Sequence, residues 1–260
     1  MIDCEPQRLS QIVIGRQFRG PPNSGNGGYV CGVLAREIEG PATSVLRAPV
    51  PLDHPLSYAR RDGAVIMSNA EGQLIGTGEA APAAELPEPP IRPSLAAAQA
   101  AGERYAGLVQ GFHPICFTCG ADRPDGDGLR VFTGQLASAP KGVVAGVWTP
   151  HRAFADADGL ITAEVIWAAL DCPGFFAWVE REGRHGALLG AMTAEVLRRP
   201  APGEPLIVLA WPIARDGRKE TAGAALLGPD GEVLARAHQV WIVMGPRPPA
   251  ARIEAAASEA

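Results

Sequence analysis

The chain has no surplus of positive charge, since 23 Lys and Arg stand against 28 Asp and Glu for a formal net charge of −5. It therefore lacks a cationic field to hold a polyphosphate backbone, and no nucleic-acid partner is expected. No stretch approaches the roughly 18 uninterrupted apolar residues of a membrane span. The start, MIDCEPQRLSQ, has neither the basic segment nor the apolar core of a secretory leader. The expectation is a cytoplasmic protein with no membrane span. Cysteine is scarce as well: Cys4, Cys31, Cys116, Cys119 and Cys172 are an odd, scattered set, which argues against a disulfide framework. What is present is enough for a sizeable core, with 47% hydrophobic residues in 260, as one large domain or two small ones. Gly 31 and Pro 25 favour many turns between short elements over a bundle of long helices.

Compared with itself, the chain repeats. Leu46-Arg47-Ala48-Pro49-Val50-Pro51, then Pro55-Leu56, matches Leu197-Arg198-Arg199-Pro200-Ala201-Pro202, then Pro205-Leu206, at an offset of about 150 residues. Each copy follows an apolar, helix-like stretch, Gly27 to Ala35 in one and Ala163 to Leu170 in the other. Each leads to an acidic-Gly turn and an apolar run, Glu71-Gly72-Gln73-Leu74-Ile75 and Asp230-Gly231-Glu232-Val233-Leu234. The offset has grown to 159 there, which places about eight extra residues near Arg215 to Thr221. A long period seen twice points to a duplicated domain and away from a solenoid.

Within a copy the pattern reads as one helix followed by antiparallel strands. In the second, strands are predicted at 143–148, 187–197, 206–213, 220–227 and 233–243, with the helix capped by Thr162 and interrupted at Pro173-Gly174. One nearly all-apolar helix among so many strands is most easily buried by wrapping the sheet around it. Residues 81–93 are Pro-rich and extended, after which Ser94 can cap an Ala-rich surface brace to about Leu108. The expected organisation is 1–80, a connector at 81–125, then 126–245, with 246–260 a loose tail.

With Gly25-Asn26-Gly27-Gly28-Tyr29 opening the first helix, the chain resembles the double-hotdog acyl-CoA thioesterase-like family. That resemblance implies an α+β fold of two fused hotdogs, each an antiparallel sheet wrapped around a central helix. It implies an acyl-CoA thioester bound, and hydrolysed, in the cleft between the halves. The family's catalytic set is an Asp, a Ser or Thr, and a Gln; Asp171 is similar in placement to the Asp, and Gln239, after Ala235-Arg236-Ala237-His238, to the Gln. The hydroxyl member has no clear counterpart, Thr193 and Thr221 being the nearest. Cys116-Phe117-Thr118-Cys119-Gly120 and Trp167 to Gly174 look like signatures of an uncharacterised subgroup. A non-catalytic acyl-CoA binding module is the alternative, and an enoyl-CoA hydratase-like enzyme, which needs an Asp/His pair such as Asp171 with His185, the third reading. No cofactor is expected, and a homodimer or higher homo-oligomer is.

Each candidate also has a structural reading. Asn26, Gly27 and Gly28 are candidate substrate contacts: the glycine pair can let a thioester carbonyl reach the unpaired helix-start amides, or simply permit a tight turn and close packing. Asp171 follows six nearly apolar residues, and enclosure raises a carboxylate's pKa as a general base requires; it could equally cap a following turn. Glu164 is a further candidate substrate contact, and its place in the first helical turn also suits a structural role. Strand alternation puts Ala235, Ala237, Gln239, Trp241 and Val243 on one face, toward the helix, and Arg236 and His238 on the other. The single Cys116-x-x-Cys119 lacks the second ligand pair of a structural zinc site, so packing is the expectation and no metal is assigned. The Arg123 to Arg130 loop reads as a tight turn, and Arg215, Arg218 and Lys219 as a hairpin tip.

Overall fold

A computed structural model describes residues 7–110, 112–183 and 185–245. The tail at 246–260 and Cys4 lie outside them. In chain order the elements are β1 (Gln7–Val13), α1 (Gly27–Ala35), β2 (Ala42–Leu46), β3 (Pro55–Arg61), β4 (Ala64–Ser68), β5 (Leu74–Ala80), α2 (Leu95–Gly102), α3 (Gly107–Gln110), β6 (Gly134–Gln135), β7 (Val144–Trp148), α4 (Ala163–Glu182), β8 (Gly186–Val196), β9 (Leu206–Asp216), β10 (Lys219–Leu227) and β11 (Val233–Met244). The strands of the second half fall within a few residues of their predicted ranges.

All strands join one antiparallel sheet of 11, in the order β1-β3-β4-β5-β2-β8-β11-β10-β9-β7-β6. The centre is the β2–β8 pairing, in register Thr43↔Thr193 and Ser44↔Met192. Outward from it, the strand after each helix is followed by the last, third and second strands of the half, then by the strand preceding the helix. The same order therefore runs in both directions. The longer β9–β10 hairpin, turning at Asp216 to Lys219, accounts for the extra residues near Arg215 to Thr221.

The sheet curves around α1 and α4. One core gathers Val30, Val33 and Leu34 against Leu56, Val65, Met67 and Ile75; the other surrounds α4. The two helices meet directly because α1 carries Gly28 and Gly32 one turn apart, and a Cβ at Gly32 would lie 2.6 Å from the Glu164 Cα. Helix α2 is capped by Ser94, whose hydroxyl accepts the Ala97 N–H at 3.2 Å. It covers the outward face of β7 and β9 through Ala98 and Ala101. It stops at Gly102 rather than running to Leu108, where the backbone passes so close that a Cβ at Gly102 would be 2.8 Å from the Phe132 carbonyl oxygen.

The interruption predicted at Pro173-Gly174 does not occur: α4 continues for 20 residues through Pro173. Proline removes one helical N–H and crowds the preceding turn. Here that turn is held from outside. The Thr118 hydroxyl donates to the Ala168 carbonyl at 2.8 Å, and the Gln239 amide donates to the Leu170 and Asp171 carbonyls. Among the described residues no helix is long and apolar enough to cross a membrane.

Candidate functional site

The site forms where α1 starts and α4 passes beneath it. Asn26 caps α1, its side-chain oxygen accepting the Tyr29 N–H at 2.9 Å. The other end of the same amide donates to Asp171 Oδ2 at 2.9 Å, and the Gly28 N–H donates to that oxygen at 2.9 Å. Asp171 thus sits in the middle of α4 and binds the opening of a different helix; it does not cap a following turn. Its second oxygen, Oδ1, is buried without a hydrogen-bond partner among the described residues. Burial pushes the carboxyl up to about 7, as does the neighbouring Cys116, while the bonds from Gly28 and Asn26 pull the other way. With Oδ2 accepting two donors, the proton of the neutral form resides on Oδ1. The Gly27 N–H, first of the helix, makes no bond to the described residues.

A cleft of about 1150 Å³ opens onto this point. Its lining includes Asn26, Gly27 and Asp171, apolar walls from Phe112, Phe175 and Trp241, and Cys116, Cys119 and Cys172. These three sulfurs lie within 4.8 Å of one another, and Cys116 and Cys172 approach to 3.6 Å. The neighbouring Cys119 and Cys172 thiols hold Cys116 well below the usual cysteine range. The Cys-x-x-Cys pair, read from sequence as two packing residues, thus acquires a third thiol from α4.

Gln239 lies on the helix-facing side of β11, fully buried, as strand alternation predicts. It reaches Asp171 through the backbone: Nε2 donates to the Asp171 carbonyl at 3.1 Å, and Oε1 accepts the Trp241 indole N–H at 2.9 Å. Gly174 makes this possible, since a Cβ there would fall 1.7 Å from Gln239 Oε1.

Other candidates are not brought to Asp171. Thr193 pairs with Thr43 across β2 and β8, and their hydroxyls bond at 2.8 Å. That face of the sheet is opposite the one shared by Met192 and Gln239. Thr221 bonds the Ala214 backbone. Glu164 packs against Gly32 and pairs with Arg36. His185 lines the cleft but bonds Glu220, Nε2 to Oε2 at 2.8 Å, rather than Asp171. Glu220 was missed in sequence, although alternation places it with Ala222, Ala224 and Leu226 on the inward face. The loop at Arg123 is a tight turn tied by Arg123 to Asp127 at 2.8 Å.

No protein-family model and no curated protein matches the sequence. Solved structures do match. A protein assigned as a thioesterase II from Thermobifida fusca is 16% identical over 93% of this chain and 96% of its own, with a TM-score of 0.57. The acyl-CoA thioesterase II TesB2 from Mycobacterium marinum is 12% identical over 93% and 96%, with a TM-score of 0.55. A protein with hot dog fold from Alicyclobacillus acidocaldarius is 12% identical over 91% and 93%, with a TM-score of 0.55. The chain has an α+β hotdog fold. The resemblance read from Gly25 to Tyr29 and from the repeat thus meets structural counterparts along most of the chain. At these identities the likeness carries the fold, and the chemistry of this hotdog protein has to be argued from its own cleft.

Proposed function

We propose that this protein binds an acyl-CoA thioester in the cleft at the α1–α4 contact and hydrolyses it. The observation that carries this reading is the Asp171 carboxyl, on a residue that lines the cleft: one oxygen is held by Asn26 and Gly28, and the other is buried without a partner among the described residues. In the reaction, Oδ1 takes a proton from a water, which attacks the thioester carbonyl carbon. The oxyanion that forms is met by the Gly27 N–H at the positive end of α1. The carbon–sulfur bond then breaks, and the CoA sulfur leaves with the proton that Asp171 returns. The apolar walls at Phe112, Phe175 and Trp241 suit an acyl chain. Gln239 acts as a positioning residue, bonding the helical turn that carries Asp171.

The same reading takes the chain as two hotdog units fused in tandem, near residues 1–80 and 126–245, with 81–125 as connector. The repeat at an offset of about 150 residues and the strand order mirrored about β2–β8 support it.

A panel of acyl-CoA substrates of graded chain length, assayed for free thiol, tests the function. Turnover by the wild-type chain and its loss by about 10²-fold or more in folded Asp171→Asn are expected; full turnover in that variant removes Asp171 from the mechanism. One observation favours the alternative of a non-catalytic acyl-CoA binding module: Thr193, the candidate hydroxyl, faces away from Asp171. A binder would gain thermal stability with acyl-CoA yet release no thiol.

A further inference from the structure

Three of the cysteines converge from two separate elements. Cys116 and Cys119 come from a tight turn in the connector, and Cys172 from the middle of α4. The turn is specified closely. Its N–H at Gly120 bonds the Cys116 carbonyl at 2.9 Å, and a Cβ at Gly120 would lie 2.5 Å from that carbonyl oxygen. The Thr118 hydroxyl, bonded to the Ala168 carbonyl, pins the turn to α4 and so fixes the third sulfur relative to the first two.

We propose that Cys116, Cys119 and Cys172 bind a thiophilic divalent cation, Zn²⁺ being the best fit. The spacing is the first reason. Thiolates about 2.3 Å from a tetrahedral ion lie about 3.8 Å apart, and the Cys116–Cys172 separation of 3.6 Å is close to that before any ion is added. The setting is the second. Thiols that only fill space are surrounded by apolar groups, whereas these line a cleft, and the Asn26 amide points at Cys116 Sγ from 3.8 Å. Sulfur ligands select zinc over magnesium or calcium, which take oxygen. No fourth His, Cys, Asp or Glu among the described residues joins the three sulfurs. The fourth position therefore belongs to water or to a group entering from the cleft, the pattern of an open site and not of a closed structural one. This inference stands on the sulfurs alone, independent of whether the cleft hydrolyses anything.

The test is metal content and cobalt spectroscopy on the full chain, purified in reducing buffer without chelator. One equivalent of zinc is expected per chain. After removal of the metal, Co²⁺ should give an intense thiolate-to-cobalt charge-transfer band that saturates at one equivalent and is erased by Zn²⁺. Cys116→Ser and Cys172→Ser should lose the band, while Cys31→Ala, which alters a cysteine outside the cluster, should keep it. Because a serine variant could misfold, zinc should also protect three thiols of the unaltered reduced chain from a thiol reagent. A reduced chain that gives no band, a band that survives Cys172→Ser, or three thiols equally reactive with and without zinc would each overturn the proposal.

Discussion

The Asp171 carboxylate and the Gly28 amide, 143 residues apart in sequence, are joined by a 2.9 Å hydrogen bond. This bond needs the two helices to touch. A Cβ at Gly28 would stand 2.5 Å from the Asp171 Cβ and 2.7 Å from the Trp167 carbonyl oxygen, both on a rigid helix. Gly28→Ala should therefore cost about 2 kcal/mol or more, despite the usual preference of helices for alanine, and should lower turnover with it. For Gly27→Ala the nearest atoms belong to the Leu189 side chain, at 3.0 Å, which can give way. Urea denaturation of the two variants should rank Gly28→Ala well below Gly27→Ala; equal stabilities would remove the close helix contact as the reason for the glycine.

A second glycine is tied to a specific side chain. Gly174→Ala places a methyl 1.7 Å from Gln239 Oε1 and must evict that amide from its bonds to Leu170, Asp171 and Trp241. A loss of about 3 kcal/mol is expected, from overpacking together with buried polar groups left unpaired. Shortening Gln239 to Ala makes room for the methyl. In a double-mutant cycle the pair should couple by at least about 1 kcal/mol, the double variant being less destabilised than the sum. Additive effects would mean that the Gln239 amide does not occupy the space above Gly174.

Which of these features the sequence could disclose depends on their range. Alternation along β11 placed Gln239 and Trp241 on the helix face because strand periodicity is local. The capping of α1 by Asn26 went unread, although Asn just before a helix start is a local signal of the same kind. The helix break assigned to Pro173 failed because the bonds that sustain α4 there come from Thr118 and Gln239, 50 and 69 residues from their acceptors. Likewise Cys172 could not be joined to Cys116 and Cys119 by spacing, and Thr193 could not be assigned a face until the β2–β8 register was known.

That register bears on the hydroxyl question. Since Thr193 and Thr43 bond to each other on the face of the sheet away from Gln239, Thr193→Val should leave acyl-CoA turnover unchanged and cost on the order of 1 kcal/mol. Steady-state rates alongside thermal melts distinguish the outcomes. A collapse of turnover with little change in melting temperature would instead give Thr193 a direct part in the chemistry.

Beside the cleft, His185 and Glu220 form an ion pair with side chains only 4% and 1% exposed. Burial disfavours the imidazolium, and Arg215 opposes it as well, but the bonds to Glu220 Oε2 and the Gly183 carbonyl prevail and raise the His185 pKa above 6.5. A histidine whose pKa is raised on folding adds stability that is complete below its unfolded value, about 6.5, and is lost as pH climbs through the folded value. His185→Gln should accordingly cost most near pH 6, on the order of 3 kcal/mol, because it leaves the Glu220 carboxylate buried without its cation. The gap between variant and wild type should then narrow as pH rises above 6.5 toward alkaline conditions. Denaturant midpoints for both proteins across pH 6 to 9 give the comparison, and a gap that widens with pH would show that His185 is held neutral.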